Sequence, residues 1–530
     1  MLPSLRVLGS GNTTVPSLSD DPLLRPRGGR LVPALVCLWS QDQPQCVGEC
    51  ALLDLTVRSE WVMGRGDRCA DDPAERLVFI RQQPGENLAG SPLAGIAISR
   101  LQFRFSFGDG GGLIVENVGM GTVLVDGVAL ARGSRRTVQL GAVIQIIGNA
   151  IFLFVMRPVS LRAAKLAFGP PHTFGRPDPD GMAGESPLAW WLRGVLAQAN
   201  LAGGHMLILG ETGTGKELAA SALHRLSLRS GMLLAYNAAS LTLSLAESEL
   251  FGNPKGYPNP ETPERPGLFG QTQKGTLFLD EIGALLAAGQ SVLLRVLAEG
   301  KYLRQGESVP RPLDVRVVCA TNEGEISLRR DVLKRFSFVI RMPRLKDRLE
   351  DVPLIVRALV LQLAVENPDL AGSFVTAGPD GSPQAKIAPA LILQLLRCTL
   401  DGNVRDVRNV LLRGMAESQG LPAIMPPEDM TQWLPHAPVP PSPASTKRIE
   451  AEVDDLMAGL GQVKPPVPAK GRLLEGLERS GWQIEATGTY LGISRHAVKR
   501  LMKKYGIRRP GVPEGKPGGD PDDDLEDDPQ

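Results

Sequence analysis

Short apolar runs separated by Gly and Asp dominate the first third of the chain. Between residues 31 and 157 they fall at Ala51–Val57, Arg76–Arg81, Ala97–Phe105, Leu113–Asn117, Thr122–Val125, Thr137–Gln139 and Val143–Phe154. Many short strands at even spacing predict an all-β sandwich. The pattern changes at Ser186-Pro187, which open a helical stripe through Trp190, Trp191, Leu192 and Val195, with Ser186 as the cap. The unbroken run Met206–Leu209 predicts a buried strand, and Leu218, Ala219, Ala220, Ala222 and Leu223 return to helical spacing. A second unbroken run, Thr276–Leu279, ends in Asp280-Glu281, and residues 388–413 are again helical.

Near the C-terminus three short helices are expected over residues 471–509. Leu473, Leu474 and Leu477 mark the first, Ile484, Thr487, Tyr490 and Leu491 the second, and Val498, Met502 and Tyr505 the inner face of the third. Gly492 makes the turn and Ser494 caps the last helix. Residues 1–30, 158–185, 421–470 and 510–530 are rich in Pro, Gly, Ser or Asp. They read as a disordered start, two linkers and an acidic tail. A short helix over 447–460 interrupts the second linker. The tail is either solvated or a competitor for the basic third helix.

Composition narrows the class without choosing a partner. The 530 residues predict about three to four domains. A hydrophobic content of 43% supports a sizeable core, and a net charge of +1 leaves nucleic-acid binding to local patches. No apolar run is long enough to span a bilayer, and residues 1–29 lack the apolar centre of a signal peptide, so a cytoplasmic protein with no membrane partner is expected. The six cysteines are scattered and read as reduced thiols.

Chemistry is concentrated in Gly210-Glu211-Thr212-Gly213-Thr214-Gly215-Lys216-Glu217, set between the Met206–Leu209 strand and a helix start. Glycines let backbone N–H groups turn around an anion, the helix N-terminus adds partial positive charge, and Lys216 reaches terminal phosphates. Asp280 is the expected holder of Mg²⁺, and Glu281 the residue that polarises the attacking water of ATP hydrolysis.

Two resemblances extend this reading. Gly64-Arg65, Ile98-Ser99-Arg100-Leu101-Gln102 and Asn117-Val118-Gly119-Met120-Gly121-Thr122 resemble the forkhead-associated (FHA) domain, a reader of phosphothreonine peptides. Arg65, Ser99 and Arg100 are the implied phosphopeptide residues, since an Arg and a Ser on adjacent loops can hold a phosphate. The family has His where Gln102 stands and Asn where Met120 stands. A sandwich serving only as a docking or oligomer-contact module is the other reading.

From about Gly184 to Gly414 the chain resembles the AAA+ domain of bacterial enhancer-binding proteins, the ATP-driven activators of sigma-54 RNA polymerase. The likeness rests on Glu247-Ser248-Glu249-Leu250-Phe251-Gly252, Asp280-Glu281-Ile282-Gly283, Gln290–Leu297, Asp314–Asn322 and Gly402-Asn403-Val404-Arg405. It implies an α/β P-loop subdomain over 186–342 and a helical lid over 343–420. Asn237 would sense Glu281, and Thr321 and Asn322 would end the strand that senses the γ-phosphate. Arg329 and Arg335 would act on a neighbouring subunit's nucleotide, and Arg405 would reach it from the lid. Glu217 is the family's usual residue after the Lys. Arginines acting in trans imply a homo-oligomeric ring, a hexamer.

The family's sigma-contacting GAFTGA loop is here Gly256-Tyr257-Pro258-Asn259-Pro260-Glu261. The aromatic is displaced, the Thr is gone and two prolines stiffen the loop. ATP binding and hydrolysis are expected to survive, with sigma-54 engagement lost or altered. The three C-terminal helices resemble a Fis-type helix-turn-helix. Arg495, His496, Lys499 and Arg500 would face base edges of double-stranded DNA; Lys503, Lys504, Arg508 and Arg509 suit phosphates. A basic, solvated helix in a small bundle is the alternative.

The expected molecule is therefore multidomain: an FHA-like sandwich (31–157) taking in a signal, an AAA+ ATPase, and a DNA-binding helix-turn-helix that together regulate transcription. Two alternatives stay open: a nucleotide-switched repressor or co-regulator that does not engage sigma-54, and an FHA-based phosphothreonine signalling scaffold.

Overall fold

The computed structural model describes residues 30–66, 75–108, 111–161, 172–241, 246–285, 287–322, 335–378 and 381–434, and then 473–474, 477–478, 480, 482–484, 487 and 495–507. The described residues up to 434 form one compact unit and those from 473 a second.

The first part of the larger unit is a sandwich of two sheets. An eight-stranded sheet runs in the order Val128–Leu130, Val123–Val125, Val143–Ile146, Ala150–Pro158, Leu31–Ser40, Cys50–Leu52, Ile80–Gln83 and Glu86–Ala89. A five-stranded sheet runs Arg135–Val138, Leu113–Asn117, Phe103–Phe107, Glu60–Met63 and Glu75–Arg76. Alternation builds the core between them. Phe103, Phe105, Leu113 and Val115 face Leu35, Ala51, Ile144, Phe152 and Phe154, while Arg104 and Glu116 pair across the outer face.

Several strands differ from expectation. Leu31–Ser40 and Glu60–Met63 are additional. The first lacks alternation because both its faces are covered: Leu35 and Cys37 enter the sandwich core, while Val36 and Leu38 join a cluster that includes Leu349, Leu393 and Leu396. The Ala51–Val57 run leaves the sheet after Leu52, and Leu55 and Val57 are exposed. The Ala97–Phe105 run is strand only from Phe103, and Val143–Phe154 is two strands with a turn at 147–149.

The α/β part holds a five-stranded parallel sheet, ordered Leu233–Asn237, Thr276–Asp280, Arg316–Thr321, Met206–Leu209, Phe338–Arg341. Its central strands are apolar on both faces because helices cover them. Helices Val352–Glu366, Pro389–Leu395 and Val404–Glu417 make the lid, whose core includes Val356, Leu391, Val407 and Leu411.

Both stretches expected as linkers contribute to this unit. Ile424, Met430 and Leu434 are buried in the lid core, so apolar spacing among prolines overrides the composition of residues 421–434. Asp178 pairs with the buried Arg193, and Asp180 with Arg225, which fastens residues 178–180 to two helices. Asp351 accepts hydrogen bonds from Glu185 N, Ser186 N and Ser186 Oγ, fixing the start of helix Pro187–Ala202.

The sandwich seats on the lid. Trp39 Nε1 donates to Ile387 O. Arg157, 1% exposed, pairs with Glu350 at 3.3 Å and donates to Glu185 O. Burial pushes the Glu350 carboxyl up in pKa against the pull of Arg157.

In the smaller unit, Val498 and Leu501 of helix Arg495–Tyr505 pack with Leu473, Leu477 and Ile507. Leu501 therefore takes the inner position, and Met502 and Tyr505 sit at its edge, partly buried. Thr487 is buried, and its hydroxyl donates to Gln483 O. Arg495, Lys499 and Arg500 are exposed. Gly492, Ser494, Tyr490, Leu491, Arg508 and Arg509 lie outside the described residues, as do the side chains of His496, Lys503 and Lys504.

Candidate functional site

The Gly-rich loop leaves the central strand Met206–Leu209 and enters helix Lys216–Ser227. Gly213 and Gly215 hold φ of +76° and +94°, a region costly for other residues. At Gly213 a Cβ would lie 2.1 Å from Gly402 O, so the loop meets the lid backbone to backbone. Thr214 Oγ1 donates to Glu211 O and braces the turn from inside.

A cavity of about 670 Å³ opens above this loop. Thr212 to Leu218, Asp280, Glu281, Asn322 and Arg405 all line it. The Lys216 ammonium donates to Gly210 O (2.8 Å), Glu211 O (3.2 Å) and Asn322 Oδ1 (3.1 Å). Burial lowers its pKa, and the nearby Asp280 and Glu281 charges oppose that shift. Asp280 Oδ1 accepts from Glu281 N; among the described residues its other oxygen has no hydrogen bond.

Glu281 sits at φ +52° and is exposed. Strain of this kind in a non-glycine residue marks sites where the surroundings impose the conformation, at a cost of about 1–3 kcal/mol. Asn237 reaches it across the neighbouring strand end, donating Nδ2 to Glu281 Oε2 at 3.2 Å.

The expected residues divide clearly. The structure brings together Gly210, Glu211, Thr212, Gly213, Thr214, Gly215, Lys216, Glu217, Asn237, Asp280, Glu281, Asn322 and Arg405. Thr321 is buried below the cavity and does not line it. Arg335 is exposed and not part of the lining, while Arg329 lies outside the described residues. Sequence reasoning missed the apolar wall. Pro179, Met182 and Ala183 come from the stretch expected as a linker, and Ile355, Ala358 and Leu359 from the lid. The Asp-Pro-Asp run of residues 178–180 was the available signal, since those carboxylates find Arg193 and Arg225.

The loop Gly256–Glu261 is held by its own contacts. Asn253, 4% exposed, donates Nδ2 to Pro254 O, Tyr257 O and Pro263 O. Gly256 N donates to Thr262 O. The Tyr257 ring lies 2.6 Å from where a Cβ of Gly306 would be, and Arg304 pairs with Glu264. The loop is thereby lashed to the segment 302–311.

In the sandwich, Ser99 Oγ accepts from Met120 N, and Arg76 donates to the carbonyls of Arg65 and Arg100. Arg100 is exposed and Arg65 half-buried. Gln102 is fully buried, donating to Asn117 Oδ1 and accepting from Ser99 N, so it props the Ser99 loop from beneath.

Comparison with known proteins agrees with the geometry. The model of the sigma-54 interaction domain matches residues 183–340. The chain is 34% identical over 352 residues to the DNA-binding transcriptional regulator NtrC of Azospirillum brasilense, covering 62% of this chain and 70% of that protein. The chain belongs to the sigma-54-dependent enhancer-binding AAA+ regulators. Another relative, the anaerobic nitric oxide reductase transcription regulator NorR of Aeromonas hydrophila, is 30% identical over 510 residues, with 92% of each chain covered. The Nif-specific regulatory protein of Herbaspirillum seropedicae is 34% identical over 327 residues, 57% of each chain. A solved structure of NtrX from Brucella abortus in complex with ADP shares 27% identity, covering 62% of this chain and 70% of its own, at a TM-score of 0.40. The matched span includes both the Gly-rich loop 210–217 and the loop 256–261. Among the described residues no helix is long and apolar enough to cross a membrane.

Proposed function

We propose that the chain is an ATP-hydrolysing, DNA-binding regulator of transcription that works as a homo-oligomeric ring and takes its signal through an FHA-type sandwich. The observation that carries this is the meeting of Lys216, Asp280, Glu281, Asn322 and Arg405 on one cavity, with Asn237 holding Glu281. Lys216 neutralises terminal phosphates, and Arg405 adds charge from the lid. Glu281, exposed to the cavity and oriented by Asn237, takes the proton of an attacking water. Asp280 fits a Mg²⁺ ion, since one carboxylate oxygen is free for it; the ion would supply charge neutralisation at phosphate oxygens. Arg335, exposed, and Arg329 suit action on a neighbouring subunit.

Arg495, Lys499 and Arg500, exposed on helix Arg495–Tyr505, with His496 and Lys503 of the same helix, are the groups for double-stranded DNA. Arg65, Ser99 and Arg100 are the groups for a phosphothreonine protein. The Arg65 side chain has no hydrogen-bond partner among the described residues, which supports a ligand role, while Ser99 Oγ already accepts from Met120 N and keeps only its hydroxyl proton to offer.

A second reading is favoured by the tied loop 253–265. A loop clamped by Asn253 and Tyr257 is poorly suited to rise and fall with the nucleotide, which supports a nucleotide-switched regulator acting on a partner other than sigma-54. The test is a gel-shift of the full chain with sigma-54 and ADP–aluminium fluoride. A trapped complex supports activation of sigma-54 polymerase. Intact ATP hydrolysis without a complex supports the second reading, and a chain that takes up no nucleotide overturns both.

A further inference from the structure

Asn403 stands at the meeting of three segments and holds a backbone conformation that favours glycine. Its φ and ψ are +53° and −128°, and its residue exposure is 1%. For a residue with a Cβ this conformation is strained, so the surroundings must impose it. The side chain shows how. Nδ2 donates to Glu211 Oε2 (3.1 Å), Thr212 O (3.1 Å) and Asp401 O (3.3 Å), while Oδ1 accepts from Leu345 N (2.7 Å). Leu345 N can only donate and Thr212 O can only accept, so the network sets which end of the amide points where. One end grips the phosphate loop, and the other grips the segment leading from the last sheet strand into the lid.

The backbone reinforces the same joint. Val404 N donates to Gly213 O at 3.1 Å, and Gly402 O occupies the space a Gly213 side chain would need. Two residues beyond Asn403, Arg405 lines the cavity. We propose that Asn403 is a positioning residue that latches the helical lid to the phosphate loop and so sets where Arg405 and the lid wall stand over the nucleotide. This rests on the reading of the cavity as a nucleotide site. Asn403 itself touches no phosphate; it acts through the Thr212 backbone and Arg405.

The experiment uses the full chain and four variants: Asn403→Gly, Asn403→Asp, Glu211→Gln, and Asn403→Asp combined with Glu211→Gln. Fluorescent ADP binding, steady-state ATP hydrolysis and thermal unfolding are read for each. Glycine suits the backbone at 403, so Asn403→Gly folds while losing the latch. Relief of the backbone strain offsets part of the lost bonds, so its melting temperature is expected to fall by no more than a few degrees, while KM for ATP rises about tenfold, the loss of one charge-assisted bond, and by more than kcat falls. Asn403→Asp places a carboxylate against Glu211 and weakens binding further. Adding Glu211→Gln returns a donor opposite it, and should recover about tenfold of that loss. A parent-like KM in Asn403→Gly, a loss that only follows a lowered melting temperature, or no recovery in the double variant would overturn the latch. A parent chain that takes up no ADP overturns the nucleotide reading, and the latch with it, and that is seen before any variant is compared.

Discussion

The cavity above the phosphate loop and the Arg65–Ser99 loops of the sandwich both bring cations and hydroxyl or amide groups together, but they treat them differently. At the cavity, two side chains and a backbone contact do the holding. Thr214, Gly213 and Asn403 fix the loop, and Lys216, Asp280, Glu281 and Arg405 are left lining open space. In the sandwich the hydroxyl and the neighbouring backbone carbonyls are already engaged, while Arg100 is exposed and the Arg65 side chain has no hydrogen-bond partner among the described residues. Ser99 Oγ serves Met120 N, and the carbonyls beside Arg65 and Arg100 serve Arg76. A motif is therefore better judged by what its polar atoms already bind than by which residues it contains.

The largest test of that comparison is at the cavity. Glu281→Gln should keep nucleotide binding and lower ATP hydrolysis by about 10²–10⁴-fold, because a carboxamide cannot take a proton. Equal loss of binding and turnover would show that Glu281 is structural. Next comes the joint between the two regions. Arg157→Ala leaves Glu350 buried without its partner and should cost about 3–5 kcal/mol in urea unfolding. A change below about 1 kcal/mol would mean that the sandwich and lid do not stabilise one another.

Acid separates the regions by a different route. His205 is pushed down to about 4 by burial and by the Arg316 and Arg229 charges. Its folded pKa lies below the ordinary 6.5, so the native state binds fewer protons than the unfolded chain. The stability it contributes is present above pH 6.5 and lost as pH falls through 4, on the order of 3 kcal/mol. No histidine occurs in residues 31–161. Amide exchange should therefore rise between those pH values in strands Met206–Leu209 and Arg316–Thr321 before it rises in the sandwich. Uniform exchange across both would contradict this.

The smallest effects sharpen the sandwich side. Arg65→Ala should weaken capture of a phosphothreonine peptide by about tenfold or more, the worth of a charge-assisted bond. If the parent chain captures none, the sandwich is a docking module, its Ser99 hydroxyl already committed to Met120 N. Restoring the family residue, Met120→Asn, should then raise affinity by no more than about tenfold, one neutral hydrogen bond.

Linear order was enough to read the α/β site, because its groups sit at strand ends and in one continuous loop. A strand run into glycines and a helix places Lys216 with little freedom, and the run Thr276–Leu279 places Asp280 and Glu281 beside it once the two strands share a parallel sheet. The alternating runs likewise announced the sandwich, while on helix Arg495–Tyr505 the sequence pointed to Val498 but not to Leu501, which takes the inner position expected of Met502 and Tyr505. Tertiary structure alone decided the rest, since it depends on contacts between residues far apart in the chain. Leu31–Ser40 has no alternation to read because the lid covers its outer face. Residues 178–183 look like a linker until Arg193 and Arg225 draw their carboxylates in and turn Met182 and Ala183 into a cavity wall. Asn403 is one more polar residue in a turn until the lid closes on Thr212, when burial and three donated bonds make its strained backbone the stable choice.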